Sequence, residues 1–206
     1  MKSPDDQESA VLPVLYGARY SVYTRICLIT LEMKGTPFLF EALDVFAGDG
    51  PARARRTGHP FGKIPILHHG DLTLYETLAI TRYIDDRFDG PPLQPDDAAG
   101  RARMNQFISI VDTQVYPVLV WGLYVPKSEG RKPKPGTLGK GRAVLAALET
   151  LAGPEWLCGA RPTLADAYLA ACMDYIIDSA AGTDMASHAP RLINWWQRAQ
   201  ALKPKA

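Results

Sequence analysis

The sequence predicts two successive fold classes, an α/β domain of order βαβ-ββα over residues 10–89 and an all-helical domain over residues 98–206. Three observations predict this. Short apolar and β-branched runs bounded by turn residues alternate with amphipathic helical patterns only in the first ninety or so residues. The stretch DGPPLQPDDAAG holds three prolines and two glycines over residues 89–100, so it cannot be helix or strand throughout, and it places an interdomain linker at 90–97. Beyond it, every apolar pattern has helical spacing.

The elements follow in order. MKSPDDQESA is acidic and polar with no apolar stretch like that of a signal peptide, so residues 1–9 are expected as a frayed tail. VLPVLY, from Val11 to Tyr16, reads as a buried strand with Pro13 near an edge, and Gly17 ends it. Val22, Ile26, Ile29 and Met33 then recur at helical spacing, with Ser21 placed to cap the start and Gly35 the end. TPFLFEALDVF is the second strand, parallel to the first across a right-handed crossover. AGDGPARARRTGHPFG is turn-rich and basic, with room for a short helix at most, and its arginines read first as a solvated charge cluster. IPIL and DLTLY are expected as a hairpin around HHG, which puts His68 and His69 in a solvated turn, and ETLAITRYIDDRF as the helix that closes the module.

After the linker come RARMNQFISIVDTQVYPVLVWGLYV, TLGKGRAVLAALETLA, TLADAYLAACMDYIIDSA and PRLINWWQRAQAL, all helical in pattern. Pro117 should bend the first of these, and EGRKPKPG should form a mobile surface loop. Thr163 and Asp166, three residues apart, read as a capping box with Asp in place of the usual Glu or Gln, a structural role. Asn194, Trp195 and Trp196 should dock the last helix on the core.

Composition narrows the function classes. With 206 residues, a formal charge of +1, 47% hydrophobic and 22% charged residues, the chain offers no global field for a nucleic acid or an acidic membrane. No run reaches the ~18 apolar residues of a membrane span, and a cytoplasmic location is the expectation. Cys27, Cys158 and Cys172 lack disulfide or C-x-x-C spacing, the histidines lack ligand spacing, and no metal is expected. No G-x-x-x-x-G-K-[ST], G-x-S-x-G, H-E-x-x-H or G-x-G-x-x-G occurs.

The segment KIPILHHGDLTLYET carries the chemistry. Pro65 cannot donate to a central ladder. A cis Ile64–Pro65 bond would turn the Ile64 amide and carbonyl outward, where an extended peptide could pair with both. Glu76 and Thr77 stand at a strand-to-helix junction, where free amides and the helix dipole favour a carboxylate while Glu76 favours an ammonium. The pattern suits a peptide that ends in an α-amino acid zwitterion.

HPFGKIPILHHGDLTLYETLAITRYI is similar to the glycine, cis-proline, hairpin and Glu-Ser-Ala-Ile signature of the cytosolic glutathione transferases, with Thr77 in place of the serine. LYGARYSVYTRICLITLEMKG resembles that family's first strand and helix, with the S-x-x-T-R spacing of serine-type, bacterial-looking members, and GARPTLADAYL resembles its capping-box segment. The resemblance covers nearly the whole chain after the tail. It implies a thioredoxin-like first domain, glutathione as cosubstrate, a small hydrophobic electrophile, a role in detoxification and a homodimer. Residue by residue it implies Ser21 as thiol activator, with Tyr16 and Tyr20 as rivals, and Ile64 and Pro65 as backbone clamp. It further implies Glu76 and Thr77 as γ-glutamyl anchors and Lys63, with Arg53 or Arg56, near the glycine carboxylate. Tyr116, Trp121 and Tyr124 are candidate apolar walls for the electrophile, or plain core aromatics. A free thiol with pKa about 8.5 is only about 3% thiolate at pH 7, so the protein's task is to raise that fraction. Rival functions on the same residues are another glutathione-dependent enzyme (dehalogenase, isomerase, peroxidase or ether-cleaving lyase) or a glutathione-binding module without turnover.

Overall fold

The computed structural model describes residues 11–204, so the expected tail at 1–9 lies outside the described residues. The chain divides into two compact units, one reaching to Pro92 and including Pro204, the other spanning Leu93–Lys203.

The first unit holds a four-stranded sheet in the order β2-β1-β3-β4, formed by β1 (Val14–Gly17), β2 (Leu39–Ala42), β3 (Ile66–His69) and β4 (Leu72–Tyr75). β1 pairs parallel with β2 and antiparallel with β3, and β3 pairs antiparallel with β4. Helix α1 (Val22–Lys34) is the crossover between β1 and β2. It starts at Ser21, whose backbone is extended, and stops at Gly35, whose φ of 67° supplies the left-handed turn that L side chains resist. Helix α2 (Gly50–Arg56) is the short helix within the basic segment, and α3 (Thr77–Arg87) follows β4.

Each face of the sheet buries its own cluster. Leu15 and Leu67 pack with Cys27, Leu28 and Leu31 of α1 and Ile80 and Ile84 of α3. On the other face Ile66 packs with Leu43 and with Ala54 of α2, and Tyr16, Val45 and Ile64 close over them. The period of two along β3 divides Ile66 from Leu67 in this way. At the foot of α1, Lys34 Nζ donates to Asp85 at 3.0 Å and to the Pro91 carbonyl at 3.2 Å, with both charged side chains almost fully buried. The pair ties α1 to α3 and to the segment that leaves it.

Two histidines correct the sequence expectation. His68 and His69 belong to β3 and not to a solvated turn, and the turn consists of Gly70 and Asp71. His69 is buried because both ring nitrogens are satisfied, one bonding the Tyr83 hydroxyl at 2.7 Å and the other the Val11 carbonyl at 3.0 Å. His68 bonds the Thr57 carbonyl at 2.8 Å. Polarity alone suggested water where tertiary partners replace it.

The second unit is all-helical. Helix α4 (Ala98–Ile110) passes into a π-helical segment, Val111–Tyr124, and a last turn, α5 (Val125–Ser128). Pro117 sits inside the π-helical segment. A proline there lacks an N–H, and in an α-helix its ring would meet the carbonyl four residues back, which the wider turn relieves. By length and composition alone this continuous helix, 98–128, is long and apolar enough to cross a membrane, with a window of mean hydropathy 1.3. That differs from the sequence expectation. Its buried side chains, among them Met104, Phe107, Val111, Val115 and Leu119, form part of the unit's core.

Helix α6 (Thr137–Leu151) precedes α7 (Leu164–Ile177), which is buried on all sides from Leu164 to Met173 and is apolar there except for Asp166 and the Tyr168 hydroxyl. The capping box at Thr163 and Asp166 is present, with the Thr163 amide donating to Asp166 Oδ2 at 2.7 Å. Helix α8 (Ala180–Ala186) was absent from the sequence reading; Ser179 starts it by accepting from the Gly182 amide at 2.9 Å. Helix α9 (Pro190–Ala199) buries Trp195.

Candidate functional site

The register of three strands assembles the site. Tyr16 of β1 pairs with Ile66 of β3, and Ile66 pairs with Tyr75 of β4. Because both pairings are antiparallel, the next residue along each strand, Gly17, Pro65 and Glu76, lies at the same end of the sheet. Ser21 follows Gly17 by four residues, and Thr77 follows Glu76. Segments far apart in sequence thus converge on one end of a rigid sheet.

Ser21 is the N-cap of α1. Its Oγ accepts from the Thr24 amide at 3.4 Å, a long bond, and its hydroxyl proton is given to no acceptor among the described residues. Its own amide donates to the Ala18 carbonyl at 2.9 Å, which folds the loop tightly. Gly17 makes that loop possible, since a Cβ there would lie 2.4 Å from Thr24 Oγ1.

The rival hydroxyls have other surroundings. Tyr20 donates its hydroxyl to Asp44, and this bond, followed by the Phe46 amide, holds the Asp44 carboxyl below its ordinary range. The Tyr20 ring stacks on Phe46 at 6.0 Å. Tyr16 packs its ring 4.8 Å from that of His68, against the Ile66 cluster.

The Ile64–Pro65 peptide bond is cis. The Ile64 amide and carbonyl form no hydrogen bond to the described residues. Glu76 is exposed and its φ is 68°, the one positive value among described residues other than glycine. Such a conformation costs on the order of 1–3 kcal/mol and recurs where a ligand is held. The first turn of α3 has no side-chain cap, which leaves its amides without a side-chain acceptor from the N-cap residue. Thr77 is buried beneath, and Lys63 is exposed.

His59 was not among the sequence-predicted residues. It is buried, packs its ring 5.0 Å from that of Tyr75 at a tilt of 37°, and accepts from the Phe61 amide at 3.2 Å through Nδ1. Burial holds its pKa below the ordinary value; the Glu76 charge opposes this and the Lys63 charge reinforces it. An apolar-looking H-P-F-G turn was the available signal.

Arg53 is exposed in the last turn of α2, and Arg56 pairs with Asp49 at 2.8 Å on the surface. Among the described residues, neither side chain forms a hydrogen bond or ion pair with the strand row. In the helical unit the three aromatic candidates separate. Tyr116 and Trp121 meet edge to face at 6.4 Å, five residues apart on one side of the wide π turn, whereas Tyr124 packs on Tyr175 at 4.7 Å. Burial pushes the Tyr116 phenol up, against a hydrogen bond from Trp121. Cys27 and Cys158 are likewise pushed up by burial, Cys158 to about 11, and are inert as nucleophiles near neutrality. Among the described residues, no group of three or more His, Cys, Asp or Glu is arranged to hold a metal ion.

Comparison with known proteins agrees with this geometry. Residues 15–92 match the family model "Glutathione S-transferase, N-terminal domain", and residues 114–203 match "Glutathione S-transferase, C-terminal domain". The chain is 30% identical to glutathione S-transferase F14 of Arabidopsis thaliana over 163 residues, which cover 74% of this chain and 64% of that protein. It is 34% identical to glutathione S-transferase 1 of Dianthus caryophyllus over 90 residues, 44% of this chain and 41% of that one. The chain thus spans less than two thirds of the length of these curated relatives. The crystal structure of glutathione transferase F7 from Populus trichocarpa superposes with a TM-score of 0.78 at 26% identity, covering 91% of this chain and 92% of that one. The strand row, the uncapped helix and both family matches agree: the chain belongs to the cytosolic glutathione transferase superfamily.

Proposed function

We propose that the protein is a serine-type glutathione transferase that activates the glutathione thiol for attack on small hydrophobic electrophiles. The observation that carries this is the row Tyr16–Ile66–Tyr75, which sets the Ser21 loop, Ile64–Pro65 and Glu76–Thr77 at one end of the sheet. The unpaired Ile64 amide and carbonyl clamp the backbone of the central cysteine. The γ-glutamyl carboxylate takes the open amides of α3 with the Thr77 hydroxyl, and Glu76 takes the ammonium. Lys63, or Arg53 in the neighbouring helix, balances the glycine carboxylate.

Ser21 donates its unused hydroxyl proton to the sulfur and does not itself attack. A hydrogen bond to a charged acceptor contributes roughly 1.5–3 kcal/mol and a helix start about 0.3–1, against about 1.4 per pKa unit, so a drop of one to two units in the thiol is within reach. The thiol proton goes to solvent. The sulfur lone pair forms a bond to the electrophilic carbon, and in a displacement the halide leaves with the electron pair of the bond that breaks. Tyr116, Trp121 and Tyr124 remain the aromatic candidates for holding the electrophile. A cytoplasmic homodimer acting in detoxification is the expected setting.

Turnover of an aromatic halide with glutathione, compared between wild type and Glu76→Ala, tests the binding half. The variant should raise the KM for glutathione by at least about tenfold, and an unchanged KM would remove Glu76 from the site.

A further inference from the structure

We infer, resting on the reading of Ser21 as thiol activator, that Tyr20 is a positioning residue for that serine, latching the loop before it to Asp44. Ser21 needs such support. Its own cap bond to the Thr24 amide is long at 3.4 Å and fixes the hydroxyl only weakly. A functional oxygen has to be held to within about 0.5 Å of its productive place, so the backbone that carries Ser21 must be held from outside its helix.

The loop is tied along its length to β2 and to the segment that continues it. At its start the Gly17 carbonyl accepts from the Leu43 amide at 2.9 Å. Farther on, the Arg19 guanidinium lies over the Phe40 ring, 4.9 Å from its centre. Next to Ser21 itself, the Tyr20 hydroxyl donates to Asp44 Oδ1, and the Tyr20 ring stacks on Phe46 at 6.0 Å with 27° between the planes. Asp44 is set to receive that proton, because the same oxygen accepts from the Phe46 amide at 2.8 Å, a local turn that fixes the carboxylate. The Tyr20 hydroxyl and then the Phe46 amide hold the Asp44 carboxyl below its ordinary range, so the acceptor is charged at neutral pH and the bond to it is charge-assisted. Tyr20 stays 45% exposed and Phe46 75% exposed, so core burial does not hold these rings; the hydrogen bond and the ring stack do. A phenol has one proton to give. With that proton on Asp44, Tyr20 supports the loop, and donation to the sulfur falls to Ser21.

The test uses the full-length protein with glutathione and follows thiolate absorbance across pH in wild type, Ser21→Ala, Tyr20→Phe, Asp44→Ala and the double variant Tyr20→Phe/Asp44→Ala, with circular dichroism to verify each fold. Tyr20→Phe keeps the ring and removes only the donor. It should raise the thiol pKa of bound glutathione by about half a unit. In the Asp44→Ala background the same change should have no effect, since the acceptor is already gone. Turnover of an aromatic halide by Tyr20→Phe should fall about threefold at pH values below the thiol pKa and return to the wild-type rate above it, with the KM for glutathione changed by less than about twofold. A general loss of structure would lower the rate at every pH. Wild type without a lowered thiol pKa, or Ser21→Ala that keeps it, overturns the activator reading and the latch with it. If Ser21→Ala loses the shift while Tyr20→Phe keeps it in full, if Tyr20→Phe acts equally with and without Asp44, or if its rate falls equally at all pH values, the latch alone is overturned.

Discussion

The indole N–H of Trp195 donates to Asp166 Oδ1 at 2.7 Å, and both side chains are buried. The same carboxylate accepts from the Leu157 amide at 3.0 Å and the Thr163 amide at 2.7 Å. One acid thus caps α7, anchors the preceding loop and docks α9. Burial pushes this carboxyl above its ordinary range, and these donors oppose the push. Asp166→Ala takes the acceptor from four buried donors, the Trp195 indole, the Leu157 and Thr163 amides and the Thr163 hydroxyl, at roughly 1–3 kcal/mol for each left unsatisfied. We expect a loss of at least about 3 kcal/mol, against a smaller loss of about 1–2 kcal/mol for Trp195→Phe, which removes one donor and trims the buried indole to a smaller ring. Urea unfolding followed by circular dichroism measures both; equal losses would mean that ring packing, and not the carboxylate, holds the helices together.

What was legible in the sequence divides by range. The capping box was, because Thr163 and Asp166 lie within one helical turn; the third partner, Trp195, is 29 residues away and depends on tertiary packing. Strand and helix order in the first unit followed from periodicity, and Ser21 was readable as a cap because caps are local. The strand assignment of His68 and His69 was not, since the groups that satisfy them, Tyr83, Val11 and Thr57, come from elsewhere in the chain. Nor could the positive φ of Glu76 be foreseen, because local preference would put glycine there.

That conformation makes a prediction of its own. Glu76→Gly and Glu76→Ala both remove the carboxylate, but only glycine adopts a φ of 68° freely. We expect Glu76→Gly to be more stable than Glu76→Ala by about 1 kcal/mol in thermal or chemical unfolding, with both weak in glutathione binding. Equal stability would show that the backbone at this position relaxes.

Gly17 is similarly constrained, by space and not by φ. A Cβ there meets Thr24 Oγ1 at 2.4 Å and Cγ2 at 2.6 Å within a buried contact. Gly17→Ala should cost about 1–3 kcal/mol and shift the Ser21 loop, lowering kcat/KM. Adding Thr24→Ala should restore most of the stability, and a double variant no more stable than Gly17→Ala would contradict the steric account.

His59 links stability to pH. Its folded pKa lies below the ordinary value of 6.5, chiefly because the ring is buried, so the unfolded chain binds a proton first as pH falls. The contribution of His59 to stability is complete above about 6.5 and is lost progressively as pH falls below that value toward the depressed folded pKa. Denaturation at pH 7.5 and at pH 5.5, both chosen to bracket about 6.5, should show a decline in wild type that His59→Asn flattens. An unchanged slope would assign the decline to other groups.

The most direct test of the central claim is a titration of bound glutathione. Its thiolate absorbance is followed across pH in wild type and in Ser21→Ala. A thiol pKa lowered by about one to two units from about 8.5 in wild type, and restored in a variant that still binds, is the predicted result. Wild type that binds glutathione without lowering its thiol pKa, or a variant that keeps the full shift, would contradict the role assigned to Ser21.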